Sequence, residues 1–457
     1  MHIPAFKTVS FRFVQALFLA SALAACDHGG SGGGQNPQEC FADSGKTEVL
    51  NIMQSWYLWN DEADQFNKYR NLDPREFADA DELLDYLRYR PDEFDRGFSY
   101  ITTPEEEAAF FSEGQFVGFG FSMVRIGGEI RLSQVFDGSP AEAAGFQRGY
   151  RLLALNGRSI AEIEAAEGLN AALGPAKAGF KLTFAMEDTS GVELPPVKIS
   201  KATVNIAPVP VLRYVQDSAG NEVGYVLFNT FISSASQALR SVFDDLGTTG
   251  GVSRVVIDLR YNGGGLVSVS EVLASLLAGP GHVGEVYSVM TFNNARTQYN
   301  ETASFHSEST ALTLDKIIFI TSEGSASASE LVINGLKPYF GGSAMALVGS
   351  PTYGKPVGQL GFDFCDHDFR LRAIAFKSVN ADGEGEYFDG LPVDCAADDD
   401  LSHVLGDPEE ASLAAALEYM GGTGCPLSAA PGFAISQAGR PRPVTGPGLA
   451  RQYAGAY

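Results

Sequence analysis

The chain has 457 residues, enough for two or three domains with substantial hydrophobic cores. Its composition, 45% hydrophobic and 19% charged, is that of an ordinary soluble globular protein. A net charge of −24, with no basic patch interleaved with aromatic residues, argues against nucleic acid or anionic lipid as a partner held by charge.

The first 25 residues have the features of an export signal. Lys7 and Arg12 precede an apolar stretch, residues 14–25, that is too short to remain as a membrane-spanning helix. The following Cys26 ends the tetrapeptide L-A-A-C, which resembles a bacterial lipobox, whose cysteine is lipidated and becomes the mature N-terminus. We therefore expect an exported lipoprotein, anchored in a bacterial membrane through Cys26 and facing the periplasm.

Ordinary signal cleavage after the A-L-A pattern at residues 22–24 is the alternative to lipidation. Cysteine counting favours the lipobox, because setting Cys26 aside leaves an even number of cysteines. These four, Cys40, Cys365, Cys395 and Cys425, are expected to form two disulfides in an exported protein. Proximity along the chain suggests Cys365 with Cys395 and Cys40 with Cys425.

Residues 26–45 are rich in glycine and serine, a composition that predicts a flexible tether. The next stretch, residues 46–112, has a helical and acidic pattern. Its apolar stripe is expected to pack in a core rather than to bind a cofactor. The stripe consists of Leu50, Met53, Trp56, Tyr57 and Trp59.

Residues 113–205 resemble a PDZ domain. Gly118-Phe119-Gly120-Phe121 is similar to the loop whose backbone N–H groups hold a peptide's terminal carboxylate, and residues 122–125 would then receive the ligand as an added strand. A short helix with Ser139 as cap and Pro140 at its first position supports the resemblance. A helix over residues 161–173 would border the groove. The tetrapeptide alone also fits a plain glycine-rich strand start.

Strands alternate with helices from residue 206 to residue 425, which predicts an α/β core. The predicted elements are strands over 223–228, 252–259 and 316–321, and helices over 234–246, 267–277 and 330–336. Beyond Cys425, alanine, glycine and proline dominate with no sustained period, which predicts a disordered tail over residues 426–457.

Ser327 and Lys355 are the candidate reacting groups. Ser327 lies between a predicted strand and a predicted helix, so its hydroxyl would be presented at a helix N-terminus, where free N–H groups can hold an oxyanion. A lysine amine can serve as the base for a serine, provided its pKa falls by roughly three units. Gln359, four residues after Lys355, could orient the amine without favouring its charged form.

Simpler explanations exist for both residues. Ser327 with Glu330 is S-x-x-E, a capping box, so this serine could merely start a helix. A single lysine is more often a solvated surface charge. Here, however, Lys355 stands among Gly, Tyr, Pro and Val, which suits a partly buried amine.

The chain resembles the C-terminal processing peptidases, the S41 family of serine proteases with a PDZ domain and a core related to the crotonase-like fold. Several short motifs occur in the family's order. They are residues 257–265, 324–330, 349–359 and 390–394. The resemblance implies that Ser327 is the nucleophile, Lys355 the general base and Gln359 the third member of the triad. It also implies an oxyanion hole formed by the N–H groups of Ala328 and Gly264.

The chain departs from the family pattern at four points. Gly263 stands where proline is usual, Pro356 where glycine is usual, and Tyr150 where the PDZ loop usually has aspartate. The interval from Ser327 to Lys355 is slightly longer than usual, which suggests an insertion near residues 339–345. None of these departures removes a reacting group.

The sequence offers four other interpretations. Gly349 to Lys355 fits the start of a phosphate-binding loop, but Pro356 replaces the magnesium-binding hydroxyl. A Ser-His-Asp hydrolase has no recognisable motif, and a metal site among residues 363–368 matches no ligand spacing. The stronger competitor is a non-catalytic adaptor that binds the C-termini of exported proteins.

We therefore predict an exported serine endopeptidase that needs no cofactor. It would act on proteins or peptides with accessible C-terminal or unfolded segments. Its α/β core would follow a β-rich PDZ domain and a small helical region.

Overall fold

The computed structural model describes residues 36–70, 72–425 and 442–443. The predicted signal peptide, Cys26 and most of the predicted tether lie outside these residues. So does the predicted disordered tail, apart from Arg442 and Pro443. Within the described ranges, no helix combines the length and apolar character that crossing a bilayer requires.

The N-terminal region is helical. Its elements are α1 (Pro37–Ala42), α2 (Ser44–Trp56), α3 (Ala63–Arg70), α4 (Ala80–Leu87), β1 (Tyr100–Thr102) and α5 (Pro104–Phe111), with a 3-10 turn at Pro74–Glu76. Met53 and Tyr57 from the predicted apolar stripe are buried together with Leu83 of α4 and with Leu371 and Ile374. The stripe thus packs these helices onto a strand from the second half of the chain.

Two disulfides join distant parts of the chain, Cys40 with Cys365 and Cys395 with Cys425. The pairing expected from proximity along the chain is therefore wrong. The prediction failed for Cys40 because α1 packs against the turn after Phe364, more than 300 residues away in sequence. The same bond explains why α1 is an ordered helix within the stretch predicted to be a tether.

Residues 113–205 form a β-rich region. Its elements are β2 (Gln115–Gly118), β3 (Phe121–Ile126), β4 (Glu129–Val135), α6 (Pro140–Ala143), β5 (Arg151–Leu155), β6 (Arg158–Ser159), α7 (Ile160–Ala166), α8 (Leu169–Ala172), β7 (Lys181–Glu187), β8 (Val197–Ser200) and β9 (Ala202–Asn205). Strands β3, β4, β5, β7 and β8 form an antiparallel sheet in that order. The helix predicted over 161–173 is interrupted at Gly168, whose φ of 80° favours glycine.

The α/β core follows. Its elements are β10 (Val211–Gln216), β11 (Glu222–Leu227), α9 (Ala235–Asp245), β12 (Arg254–Asp258), α10 (Val267–Ala278), β13 (Val286–Phe292), β14 (Glu301–Ser304), β15 (Lys316–Thr321), α11 (Ala328–Leu336), β16 (Met345–Gly349), β17 (Val357–Phe364), β18 (Phe369–Val379), β19 (Cys395–Ala396) and α12 (Ala411–Gly421). Short 3-10 turns occur at Pro280–His282, Thr297–Tyr299 and Gly342–Ala344, and a π-helical turn at Leu246–Gly250. The last element is β20 (Arg442–Pro443).

The main sheet has the order β10-β11-β12-β15-β16-β19. All neighbours from β11 to β19 are parallel, and only β10 is antiparallel. Both faces are covered, as a parallel sheet requires. Ile317 and Phe319 pack with the helices α9, α10 and α11, whereas Ile318 and Ile320 pack with α12.

A second sheet, β1-β18-β13-β14 with β17 on β18, joins the core to the N-terminal region. The β-rich region is held to the core by Arg148. Its guanidinium lies 2.7 Å from the buried carboxylate of Asp399 and also donates to the hydroxyl of Tyr261. The buried carboxylate thereby connects the β-rich region to the core loop that begins after β12.

Candidate active site

The candidate site lies at the carboxyl ends of three neighbouring strands, β12, β15 and β16. The loop after β12 carries Gly264, the loop after β15 carries Ser327, and the loop after β16 carries Lys355. Because these strands are parallel and adjacent, their loops meet at one edge of the sheet. The hydroxyl of Ser325 binds the carbonyl of Leu259 at 2.7 Å, which fixes the second loop to the first.

Ser327 is the N-cap of α11, but its backbone differs from that of an ordinary cap. Its φ is 56° and its ψ is −113°. The N-caps Thr103, Ser139 and Ser159 in the same chain have φ values of −107°, −82° and −63°. A left-handed φ at a non-glycine residue is strained, and such strain concentrates at functional sites. Ser327 therefore resembles a presented nucleophile more than a simple cap.

Glu330 connects the serine loop to the lysine loop. Its fully buried carboxylate accepts the N–H of Ser327 (2.9 Å) and that of Lys355 (2.8 Å) on Oε2. Oε1 accepts the hydroxyl of Thr352 (2.6 Å) and the N–H of Gly354 (2.7 Å). Burial raises the pKa of Glu330, although the four hydrogen bonds act in the opposite direction. Glu330 thus does more than complete a capping box.

The amine of Lys355 is enclosed. The residue is buried, and its Nζ donates to Oε1 of Gln359 at 2.9 Å and lies 5.2 Å from the centre of the Phe98 ring. The amide nitrogen of Gln359 donates in turn to the carbonyl of Phe98. The side-chain amide therefore has a fixed orientation, with its oxygen towards the amine.

Gly264 packs directly against the start of α11. A Cβ atom at Gly264 would lie 2.8 Å from the Cβ of Ser327 and 2.9 Å from the nitrogen of Ala328, so no other residue fits there. Its φ of 102° also favours glycine. The N–H of Gly264 donates to Oδ1 of Asn262 at 3.0 Å. The structure thus brings Gly264 and Ala328 together, with the first N–H already bound within the chain.

Two residues of the N-terminal region, Arg96 and Phe98, were missed in the sequence. Phe98 supplies both the ring below Lys355 and the carbonyl that holds Gln359. Arg96 donates to the carbonyl of Tyr353 at 3.1 Å and to that of Gly354, and its guanidinium stacks over the Tyr353 ring at 4.8 Å. Their only local signal was the R-G-F run at residues 96–98, which has no meaning without the tertiary contact.

The G-F-G-F tetrapeptide contains the last residue of β2, the turn that follows and the first residue of β3. Phe119 and Phe121 are fully buried in the core of the β-rich region. Gly120 has a φ of 92°, and a Cβ there would lie 2.1 Å from the Cβ of Ser139. The loop therefore needs glycine at 120 for packing.

The phosphate-binding alternative does not fit the structure. The N–H groups of Gly354 and Lys355 are bound to the Glu330 carboxylate, and a strand, β17, follows instead of a helix. In the metal alternative, Cys365 is bonded to Cys40, so its thiolate is not available as a ligand.

The residues that the structure describes include a Ser-His-Glu arrangement. Nδ1 of His306 lies 3.2 Å from the hydroxyl of Ser275, and its Nε2 lies 3.1 Å from Oε1 of Glu308. Ser275, however, is buried in α10 and accepts the backbone N–H of His306, while Glu308 is paired with Arg240. These contacts tie the segment around residue 306 to α10, and the buried hydroxyl is not positioned for an external substrate.

Part of the chain matches a known protein family. Residues 222–395 match peptidase family S41. A protein of Staphylococcus aureus (strain MRSA252), described as a CtpA-like serine protease, is 26% identical over 359 residues. The match covers 77% of this chain and 66% of that protein. A protein of the same description from strain COL is also 26% identical, over 77% of this chain and 64% of that protein. The chain thus spans just under two thirds of the length of these relatives.

The fold is similar to the folds of solved structures. A structure from Bacteroides fragilis NCTC 9343, described as an S41 protease, superimposes with a TM-score of 0.66 at 24% identity. It covers 82% of this chain and 97% of that one. The photosystem II D1 C-terminal processing protease superimposes with a TM-score of 0.50 at 19% identity, covering 76% and 91%. Residues 222–395 thus match peptidase family S41, and the similarity to the relatives and to the solved structures extends well beyond these residues.

Proposed function

We propose that this protein is a serine endopeptidase that cleaves exported proteins at unfolded or C-terminal segments. The observation that carries the proposal is the convergence of the Ser327 and Lys355 backbones on one oxygen of Glu330. Two hydrogen bonds of normal length to one acceptor hold the two nitrogens within about 6 Å of each other. A nucleophile and its base need such fixed proximity.

In the proposed reaction, the Ser327 hydroxyl attacks the scissile carbonyl while the neutral Lys355 amine takes its proton. Lys355 then delivers this proton to the leaving amine, and a water molecule hydrolyses the acyl-enzyme by the same route in reverse. Gln359 orients the Lys355 amine as a neutral acceptor. A carboxylate in its place would stabilise the ammonium form and so oppose the base.

Charge that develops on the carbonyl oxygen needs N–H donors. Ala328 at the start of α11 is one proposed donor, supported by its place in the first turn of the helix. Gly264 is the other. Because its N–H is bound to Asn262 in this structure, the second donor becomes available only if the glycine turn moves or Asn262 releases it.

The β-rich region is proposed to act as a PDZ domain that captures substrate C-termini through Gly118, Phe119, Gly120 and Phe121. Support comes from the position of this loop at the start of β3, the strand that forms one side of the sheet. A peptide added to that strand would carry its carboxylate towards the loop.

The function is tested by comparing the wild-type protein with Ser327→Ala and Lys355→Ala on casein. We expect both substitutions to abolish cleavage. Ser233→Ala and Lys198→Ala are the matched controls, because both residues are exposed and distant in sequence from the motifs. Equal residual proteolysis in the wild type and all four variants would instead favour the non-catalytic adaptor, which binds C-termini without turnover.

Capture of the C-terminus needs a separate test that leaves Gly120 intact, since a larger residue there would disturb packing against Ser139. Two substrates that differ only in a free or an amidated C-terminus provide it. We expect faster cleavage of the free acid at limiting concentration. Equal rates would show that the terminal carboxylate is not recognised.

Export and lipidation at Cys26 are a further part of the proposal. Mass spectrometry of the N-terminal peptide from a membrane fraction should find a diacylglycerol adduct on Cys26. A Cys26→Ser variant should lose membrane association while keeping its activity in solution.

A further inference from the structure

The edge of the β-rich sheet at β3 is paired with another segment of the same chain. Strand β20 pairs antiparallel with β3, with Arg442 opposite Arg125 and Pro443 opposite Val124. We propose that the edge of β3 is a peptide-docking edge whose resident ligand is the chain's own segment around Arg442 and Pro443. An extended peptide from another protein would have to displace this segment.

The position of the pairing supports this assignment. Strand β3 begins at Phe121, the last residue of the G-F-G-F tetrapeptide, and its other edge is already paired with β4. A strand at the edge of a sheet presents unpaired N–H and C=O groups, which another extended segment can satisfy with little demand on its sequence. The same edge that would receive a substrate peptide therefore binds β20.

The charge of this segment favours its association with the rest of the protein. Residues 426–457 contain three arginines, Arg440, Arg442 and Arg451, and no aspartate, glutamate or lysine. The rest of the chain carries all 56 acidic residues. A basic segment is thus attracted to an acidic protein, and its attachment through Cys425, which is bonded to Cys395, raises its effective concentration near the sheet.

The register also limits the strength of the pairing. Arg442 lies directly opposite another arginine, an arrangement that destabilises a strand pair, although Arg125 is neutralised by Glu164 of α7. Pro443 has no N–H to donate. A segment that pairs weakly but is present at high effective concentration can be displaced by a competing peptide.

The docking edge lies close to the candidate active site. Val124 of β3 packs with Tyr261 and Leu401 of the core, and Tyr261 directly precedes Asn262, which binds the N–H of Gly264. An occupant of β3 therefore lies beside a strand that contacts the oxyanion loop. If a peptide replaced β20 on β3, the segment next to the Val124–Tyr261 contact would be a different one.

The first test is cross-linking in the full chain. Arg125→Cys with Arg442→Cys places two thiols at directly opposite positions. The control, Arg125→Cys with Arg451→Cys, has the same composition but its second thiol is outside the paired register. We expect the first pair to form an intramolecular disulfide at least ten-fold faster, as followed by peptide mapping under mild oxidation. Equal rates, or cross-linking mainly between two chains, would overturn the proposal.

The second test uses a labelled synthetic peptide with the sequence of residues 438–447. It should bind the Arg125→Cys single variant and fail to bind the cross-linked protein, and an excess of it should slow the cross-linking reaction. Equal binding to both proteins would overturn the proposal. The proposal shares the peptide-binding role of β3 with the proposed function, but both readouts are independent of cleavage. An absence of proteolysis would therefore leave it standing.

Discussion

The backbone N–H groups of Ser327 and Lys355 converge on a single atom, Oε2 of the buried Glu330 carboxylate. The loops that carry them follow two different strands, β15 and β16, and residues 328–354 separate them in sequence. One carboxylate in the first turn of α11 therefore holds the backbones of the proposed nucleophile and the proposed base close to each other.

This geometry predicts the effect of Glu330→Gln. The amide keeps the shape of the side chain but replaces one acceptor oxygen by a donor, so at least one loop must lose its hydrogen bonds. We expect kcat to fall by about 100-fold, because a displacement of about 1 Å at a reacting pair has that effect. Unfolding free energy should fall by about 2 kcal/mol. Glu409→Gln, at an exposed position, should change neither quantity, and normal kcat in the Glu330 variant would contradict the role assigned to this carboxylate.

The positive φ of Ser327 predicts that a substitution can raise the stability of the protein while it removes activity. Ser327→Gly and Ser327→Ala should both be inactive, but glycine relieves the strain of a φ of 56° whereas alanine retains it. Denaturant unfolding should show the glycine variant to be more stable than the alanine variant. The same two substitutions at Ser159, a cap with a φ of −63°, measure the ordinary preference of an N-cap for glycine over alanine. The difference at Ser327 should exceed that at Ser159 by about 1 kcal/mol, and equal differences would show that Ser327 is an ordinary cap.

Phe98 should act as a positioning residue for the proposed base. Phe98→Leu keeps the backbone carbonyl that binds Gln359 but removes the ring next to the Lys355 amine, so water can reach that amine. We expect kcat to fall by about ten-fold with little change in KM, since the ring contacts the base rather than a peptide. Phe77→Leu makes the same change in the same hydrophobic core away from Lys355. A rise in KM at constant kcat in the Phe98 variant would instead assign this ring to substrate binding.

Local signals in the sequence were sufficient to predict the strand and the helix on either side of Ser327. The apolar run at Lys316–Thr321 is strand β15, and the capping pattern at Ser327 and Glu330 begins helix α11. Both depend on residues within one or two turns of each other. Parallel pairing of β12, β15 and β16 places the loops that carry Gly264, Ser327 and Lys355 at one edge of the sheet.

Contacts between distant segments could not be predicted in this way. The Cys40–Cys365 bond and the approach of Phe98 to Lys355 both depend on packing of the N-terminal helices against β17 and β18. The bond of Gly264 to Asn262 and the pairing of β20 with β3 also depend on tertiary geometry. No periodicity or spacing in the sequence encodes such contacts, because each joins residues whose local patterns are unremarkable.

The β-rich region contains a buried lysine that predicts a pH dependence of stability. Lys201 donates from Nζ to the carbonyl of Gly174 at 2.9 Å and lies 5.2 Å from the centre of the Phe119 ring. Burial lowers its pKa to about 8, below the value near 10.5 of an unfolded chain. Between these two values the unfolded chain binds more protons than the folded one, so stability should rise with pH. Urea unfolding from pH 7.5 to 10 should show the wild type gaining stability relative to Lys201→Met above pH 8, whereas Lys198→Met, at an exposed position on β8, should follow the wild type throughout. A constant difference between wild type and Lys201→Met across this range would mean that the amine keeps its proton in the folded protein.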